Sequence, residues 1–193
     1  MPRLVLYVEG PADRGILRGW AYRLLPALAG SLLEGSVILG GRRPARALAH
    51  FRALGGAAGG ARALCVLDRD DGEGVGLPDA EPGLEIFTWS RRHIESYLLV
   101  PEALGRALGR ADGRGQLVRL LREHLPADGN EEAWRAVDAK RLLGPGGLLP
   151  RALGRPIDLA RVARMTQAAE LHPDVHSLFG RVQDALQEPG AEP

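Results

Sequence analysis

The sequence predicts an α/β protein built on a parallel sheet of about four strands, flanked by helices and followed by a C-terminal helical extension. Three observations predict this class. Short apolar runs rich in strand formers alternate with segments of helical apolar spacing. The run Leu64-Cys65-Val66-Leu67 is apolar throughout, which is typical of a strand buried on both faces. Acids and glycines follow two of these runs, as expected where parallel strands end at a binding crevice.

The first half of the chain alternates strands and helices. A strand over 3–8 ends at Glu9 and Gly10, and Asp13 is interpreted as the N-cap of the helix that follows. A short strand within 35–41 and a helix over 44–54 precede the acidic strand at Leu64. This order predicts β-α-β-α-β with parallel pairing.

The second half predicts one more strand and then helices. Glycines, prolines and acids make 71–83 an irregular loop, and 84–89 is the fourth strand candidate. Glu95 follows on a helix or turn, and Lys140 lies in a helix predicted over 131–143. Further helices are expected over 102–125 and 159–171, and the segment 175–186 is expected to close the domain. We expect an α/β core over 1–100, a helical extension over 101–187 that packs on the core and carries Lys140, and a disordered tail over 188–193.

Length, composition and charge are those of a soluble globular protein. The 193 residues are 45% hydrophobic and 25% charged, with a formal net charge of +1. This near-neutral balance argues against a broadly basic surface, so any nucleic-acid contact must come from local patches. Cys65 is the only cysteine and is interpreted as a core residue, compatible with a reducing cytoplasm. No apolar segment is long enough to span a membrane and no signal-peptide layout begins the chain, so we expect a cytoplasmic protein without membrane contact.

Five acids lie at, or just after, the ends of three predicted strands: Glu9, Asp13, Asp68, Asp70 and Glu95. Like charges placed together cost energy unless a cation offsets them. Carboxylates suit hard cations such as Mg²⁺, which is usually bound by one or two of them together with substrate phosphate oxygens. The pattern therefore predicts metal-dependent chemistry on a phosphate ester.

Each acid also has a plainer interpretation. The segment 68–72 can be a polar turn after a strand, because Asp and Gly dominate turns. Asp13 can serve only as an N-cap, and Glu95 can pair with Arg91 or Arg92.

Lys140 is the only lysine among 25 basic residues. A composition that otherwise uses arginine throughout suggests that this position needs a compact, flexible point charge, which arginine cannot supply. Chance retention is the alternative.

The motifs Val8-Glu9-Gly10 and Leu67-Asp68-Arg69-Asp70 resemble those of a TOPRIM domain, which has a glutamate after its first strand and Asp-x-Asp after its third. The segment Arg92-His93-Ile94-Glu95-Ser96-Tyr97-Leu98 is similar to the Arg-x-Ile-Glu-Asn-Tyr-Leu segment of OLD-family nucleases, with Ser96 in place of Asn. The segment 138–143 is similar to that family's lysine motif, with Ala139 where glycine is common. The similarity spans about 4–143 and includes no ATPase motif, which suggests a stand-alone TOPRIM protein.

The resemblance implies a nuclease acting on DNA in preference to RNA, with a family-level link to phage defence and a possible separate ATPase partner. It implies two Mg²⁺ or Mn²⁺ ions held by the five acids, with Glu9 also a candidate general base. Lys140 would stabilise charge on the scissile phosphate. Arg91 and Arg92 would contact neighbouring phosphates, whereas His93 is interpreted as structural.

Two other functions fit the pattern. One is a non-catalytic or regulatory TOPRIM subunit of an ATPase or defence complex. The presence of Lys140 favours catalysis over this role. The other is a metal-dependent phosphatase, whose Asp-x-Asp would be expected after the first strand, where this chain has Glu9. The choice between DNA and RNA, the choice between endo- and exonuclease, and the oligomeric state are left open.

Overall fold

The sheet is parallel throughout and has the strand order β2-β1-β3-β4. The computed structural model of the chain describes residues 3–69, 81–109, 114–127 and 129–187. Within them the strands are β1 (Arg3–Val8), β2 (Val37–Ile38), β3 (Ala61–Leu67) and β4 (Leu84–Thr88). The predicted α/β class is confirmed, and β2 is shorter than expected.

Helices follow or connect these strands. They are α1 (Pro11–Leu24), α2 (Ala29–Glu34), α3 (Pro44–Ala53), α4 (Pro101–Leu108), α5 (Arg114–His124), α6 (Glu131–Ala136), α7 (Ala139–Leu143), α8 (Leu148–Leu153), α9 (Leu159–Met165) and α10 (Pro173–Gln187). The segment Ile94–Leu98 is a 3₁₀ turn. No helix in the described ranges is both long and apolar enough to cross a bilayer.

Three predicted helix boundaries are wrong. α1 begins at Pro11 after the N-cap Gly10, because proline suits the first helical position; Asp13 is the third residue of the helix. The helix predicted over 131–143 is two helices, since the chain is extended at Val137 and Asp138 caps a new helix by accepting from the amide of Arg141. The helix predicted over 159–171 ends at Met165 and is followed by a 3₁₀ turn.

Alternate residues of the strands supply two apolar layers. Leu6 and Val66 belong to the cluster that contains α1, α9 and α10, whereas Tyr7 and Cys65 belong to the cluster under α3. This division follows from the period of two along a strand. Helices therefore cover both faces of the sheet, and the ends of β1 and β3 are fixed between two packed layers.

The first apolar cluster includes residues from both sides of position 100. α9 packs along α1, and α10 contacts β1 and β3. The predicted division of the chain near residue 100 stays a prediction. The predicted tail over 188–193, and residues 71–80 of the predicted irregular loop, lie outside the described residues.

Candidate active site

The candidate site lies at the carboxyl ends of β1 and β3. β2 and β3 lie on opposite sides of β1, so the chain reverses its direction across the sheet here, and such switch points form crevices in open α/β sheets. Glu9 follows β1 and Asp68 follows β3, as predicted. The amide of Asp68 donates to Oε1 of Glu9 at 2.7 Å, which joins the ends of the two strands.

Asp68 connects three separate parts of the chain. Its side chain is 4% exposed. Oδ1 accepts from the amide of Ile94 at 2.8 Å, and Oδ2 accepts from Nζ of Lys140 at 2.7 Å. The structure thus brings the end of β3, the 94–98 turn and α7 together at one carboxylate. These contacts with distant segments favour a site over the alternative that 68–72 is only a polar turn.

Asp13 and Glu95 lie beside this carboxylate. Oδ2 of Asp13 accepts from the amide of Gly10 at 2.7 Å, so Asp13 closes the first turn of α1 from its third position. Burial raises the pKa of Asp13 to about 6, and the charge of Asp68 adds to the rise. Burial raises the pKa of Glu95 to about 7; Lys140 opposes the shift, and Asp68 and Asp13 add to it. The acids are therefore close enough to disfavour one another's ionisation.

The donor chemistry of this group fits a hard divalent cation. Oε2 of Glu95 is buried and has no hydrogen-bond partner, and carboxylate oxygens are the ligands that Mg²⁺ and Mn²⁺ prefer. The described residues do not place three metal-ligating side chains in one complete coordination group. The ammonium of Lys140 instead lies against Asp68. Asp70, the fifth predicted ligand, lies outside the described residues.

Comparison with known proteins supports the fold. No protein-family model and no curated protein matches the sequence. Among solved structures, the C-terminal region of the Burkholderia pseudomallei OLD protein aligns over 96% of this chain and 99% of that chain, with a TM-score of 0.50 and 18% sequence identity. The chain has the fold of that OLD region. The resemblance predicted from the motifs is confirmed at the level of the fold.

Arg91 is held in place by its neighbours within this fold. Its side chain is 10% exposed, and Nη2 donates to Oε1 of Glu131 at 2.6 Å. The guanidinium also lies over the rings of Trp134 and Tyr97, at 4.5 and 5.3 Å from their centroids. This position does not favour the predicted phosphate contact, because the donors of Arg91 are already bonded to Glu131 and to the carbonyl of Ser96.

Arg92 and His93 lie nearer to Lys140. Nη1 of Arg92 and Nδ1 of His93 are each 3.9 Å from the carboxylate of Asp138, the N-cap of α7. The side chain of Arg92 is 29% exposed, which leaves it accessible for the predicted phosphate contact. His93 is buried, and burial followed by the charge of Lys140 lowers its pKa. A neutral, buried ring beside the site agrees with the structural role expected for His93.

A hydrogen-bonded group that local sequence patterns do not predict holds the 94–98 turn. The hydroxyls of Ser90 and Tyr97 both donate to Oδ2 of Asp174 at 2.5 Å. Burial opposes the effect, but these two bonds lower the pKa of Asp174. The group ties α10 to the segment that carries Glu95. Tyr97 and Asp174 are separated by 77 positions, and no local pattern links them. The only sequence signal is the tyrosine of the Ile-Glu-Ser-Tyr-Leu segment.

The raised pKa of Glu95 predicts a pH-dependent cost to folding. An acid whose pKa is higher in the folded state destabilises that state above its ordinary value of 4.5, and the cost is complete above about pH 7. In metal-chelating buffer we expect Glu95→Gln to be more stable than the natural chain at pH 8, by roughly 3 kcal/mol. The advantage should shrink as the pH falls and be lost near pH 4.5. Chemical denaturation of both proteins across this range measures the difference; a constant difference at every pH would contradict the burial of an ionising carboxyl.

Proposed function

We propose that the chain is a divalent-metal-dependent nuclease that hydrolyses phosphodiester bonds, with DNA as the preferred substrate. The observation that carries this proposal is the 2.7 Å contact between Nζ of Lys140 and Oδ2 of Asp68. The contact joins the only lysine of the chain to the acid that follows β3, and the charges of Glu95 and Asp13 also act on this lysine, although these residues are far apart in the sequence. A protonated amine beside a group of acids is suited to phosphoryl chemistry.

The acids proposed to hold Mg²⁺ or Mn²⁺ are Glu9, Asp13, Asp68, Asp70 and Glu95. When bound, two such ions would neutralise phosphate charge and lower the pKa of a bound water. Burial, with a smaller contribution from neighbouring acids, raises the pKa of Asp13 and Glu95. This supports the proposal, because a cation would favour their ionised forms.

The chain's own residues are proposed to position the reacting groups. In hydrolysis the water oxygen bonds to phosphorus, the scissile P–O bond breaks, and the leaving oxygen takes a proton. Glu9 is the candidate general base, and its Oε1 is oriented by the amide of Asp68.

Lys140 is proposed to bind a phosphate oxygen. Burial opposes its charge, but the hydrogen bond and the charge of Asp68 raise its pKa, so the ammonium is retained at neutral pH. Its side chain is 48% exposed, whereas that of Asp68 is 4% exposed. The ammonium therefore has an open side from which a substrate oxygen can approach, and it can stabilise charge that develops there.

Cleavage assays test the proposal. Purified protein is incubated with supercoiled plasmid, single-stranded DNA and tRNA under Mg²⁺, Mn²⁺ or Ca²⁺. We expect cleavage with Mn²⁺ or Mg²⁺, and a loss of roughly a hundredfold in Lys140→Met, because a donor that stabilises developing charge is worth about 3 kcal/mol. Lys140→Arg should recover only part of the rate, since the guanidinium is planar and larger than the ammonium.

Arg141→Met is the matched control. It removes one positive charge from the next position of α7, where the side chain is exposed, and should keep the activity. Equal cleavage by the natural chain and Lys140→Met would rule out the proposed site. Cleavage that appears only after a separate ATPase is added would favour the regulatory-subunit alternative.

A further inference from the structure

The loop between β2 and α3 is attached to the candidate site through its backbone. The amides of Gly40 and Gly41 both donate to the carbonyl of Glu9, at 3.0 and 2.9 Å. The two glycines have φ angles of +75° and +110°, which other residues adopt only with strain. Because these two amides are already bonded, the backbone at this turn cannot serve as an anion-binding nest, and an anion would have to be held by side chains.

Three arginines follow this turn. Arg43 and Arg46 are exposed, and Nη1 of Arg46 donates to the carbonyl of Leu39 at 2.8 Å, which braces the loop. Arg42 is partly buried, and its Nη1 atom is buried without a hydrogen-bond partner. A buried guanidinium nitrogen without a partner is costly unless a ligand satisfies it.

Arg42 lies at the same edge as the acids. Burial raises the pKa of the Cys65 thiol to about 12, Glu9 adds to the rise, and Arg42 opposes it. Both charges therefore act on the same residue of β3, so the Arg42 side chain lies on the side of the sheet where Glu9 ends β1. This agrees with the attachment of the loop to the Glu9 carbonyl.

Arg42 and Arg43 differ from several other arginines of the chain in their ion pairing. Arg52, Arg91, Arg106 and Arg181 each form an ion pair with a glutamate. Among the described residues, no carboxylate forms an ion pair with Arg42 or Arg43. Cations left without acidic partners beside a group of acids are suited to an anionic ligand that must approach those acids.

We propose that Arg42, Arg43 and Arg46 bind the phosphate backbone of a nucleic-acid strand beside the phosphate that is cleaved. The inference rests on the proposed function and deepens it by naming where the substrate strand runs. A guanidinium can form two parallel hydrogen bonds to one phosphate, and the N-terminus of α3 adds a favourable dipole. Two arginines of the loop and one in the first turn of α3 match the repeated charges of a strand better than a single small phosphate ester does. The contacts position the strand without reading its sequence.

Binding without cleavage tests this assignment. Anisotropy of a fluorescein-labelled DNA 20-mer, single-stranded and duplex, is measured with Ca²⁺ in place of Mn²⁺ at several salt concentrations. The double variant Arg42→Gln/Arg43→Gln should bind at least about tenfold more weakly, and its salt slope should fall by about two, because two phosphate contacts are lost. Arg43→Gln alone changes an exposed side chain, so folding is retained; its slope should fall by about one.

The matched control is Arg119→Gln/Arg122→Gln, which removes the same charge from exposed positions of α5. It should keep its affinity within about twofold. Unchanged binding by the β2–α3 loop variants, or equal weakening in both pairs, would overturn the assignment. Failure of the proposed nuclease function can be distinguished from failure of the loop assignment. A chain that cuts no substrate but shows the loop-dependent salt slope retains the inference, whereas metal-dependent cleavage with an unaltered KM in the loop variant retains only the nuclease.

Discussion

Asp68→Asn is expected to lower metal-dependent cleavage by roughly a thousandfold or more, which corresponds to about 4 kcal/mol of lost transition-state stabilisation. In the natural chain both carboxylate oxygens act as acceptors, one for the amide of Ile94 and one for Nζ of Lys140. An asparagine supplies a single acceptor oxygen, so its NH₂ group would face one of these two donors. The substitution removes a proposed ligand charge and also releases Lys140, at almost unchanged side-chain volume.

Asp158→Asn is the matched control for this result. Asp158 is exposed and caps α9 by accepting from the amide of Arg161, a role that asparagine performs equally well. The control should retain both activity and thermal stability. Initial rates on one labelled substrate, with circular dichroism to verify folding, measure the effect. A folded Asp68→Asn protein that cleaves at the natural rate would show that the reaction occurs elsewhere.

Gly19→Ala is expected to destabilise the fold by about 2–3 kcal/mol, because overpacking at a close helix crossing forces the helices apart. A Cβ atom built at Gly19 would lie 2.6 Å from Cβ of Ala163 and 2.8 Å from both the carbonyl oxygen of Ala160 and the amide of Arg164. Two of these neighbours are backbone atoms, so α1 and α9 would have to separate. This cost exceeds the roughly 1 kcal/mol that alanine gains over glycine in a helix.

Gly15→Ala supplies the comparison, one turn earlier in α1. A Cβ atom there would lie 3.4 Å from Cβ of Ala160, an ordinary contact, so the variant should be as stable as the natural chain or up to about 1 kcal/mol more stable. Thermal melts should place Gly19→Ala several degrees below Gly15→Ala. Equal melting temperatures for the two variants would mean that α1 and α9 do not cross as closely as described.

Much of the fold and of the acidic group was predictable from local patterns. Short apolar runs alternating with helical segments predicted the parallel sheet, because each element must bury a face of a given period. Glu9 and Asp68 were placed correctly, since parallel strands expose their carboxyl ends at one edge. The same argument, applied to the end of β2, would have identified the arginines at 42 and 43.

Arg91 shows where such patterns fail. It is next to Arg92 in sequence and has the same charge and the same predicted role, yet its side chain pairs with Glu131 and lies over the Trp134 ring. Neighbouring positions point in different directions, and the partner that holds Arg91 lies 40 residues further along the chain. Side-chain direction and distant partners depend on how α6 packs, which no local pattern records.

The amino-acid sequence by itself determined the α/β class, the parallel strands and the acids at their ends, because periodicity and turn chemistry are properties of short segments. Only the tertiary structure decided that Lys140 lies on Asp68, that Glu95 is buried beside them, and that the β2–α3 loop is bonded to Glu9. Those contacts join segments up to 72 positions apart. Their geometry depends on packing across the whole core, and a sequence pattern contains no distances between distant side chains.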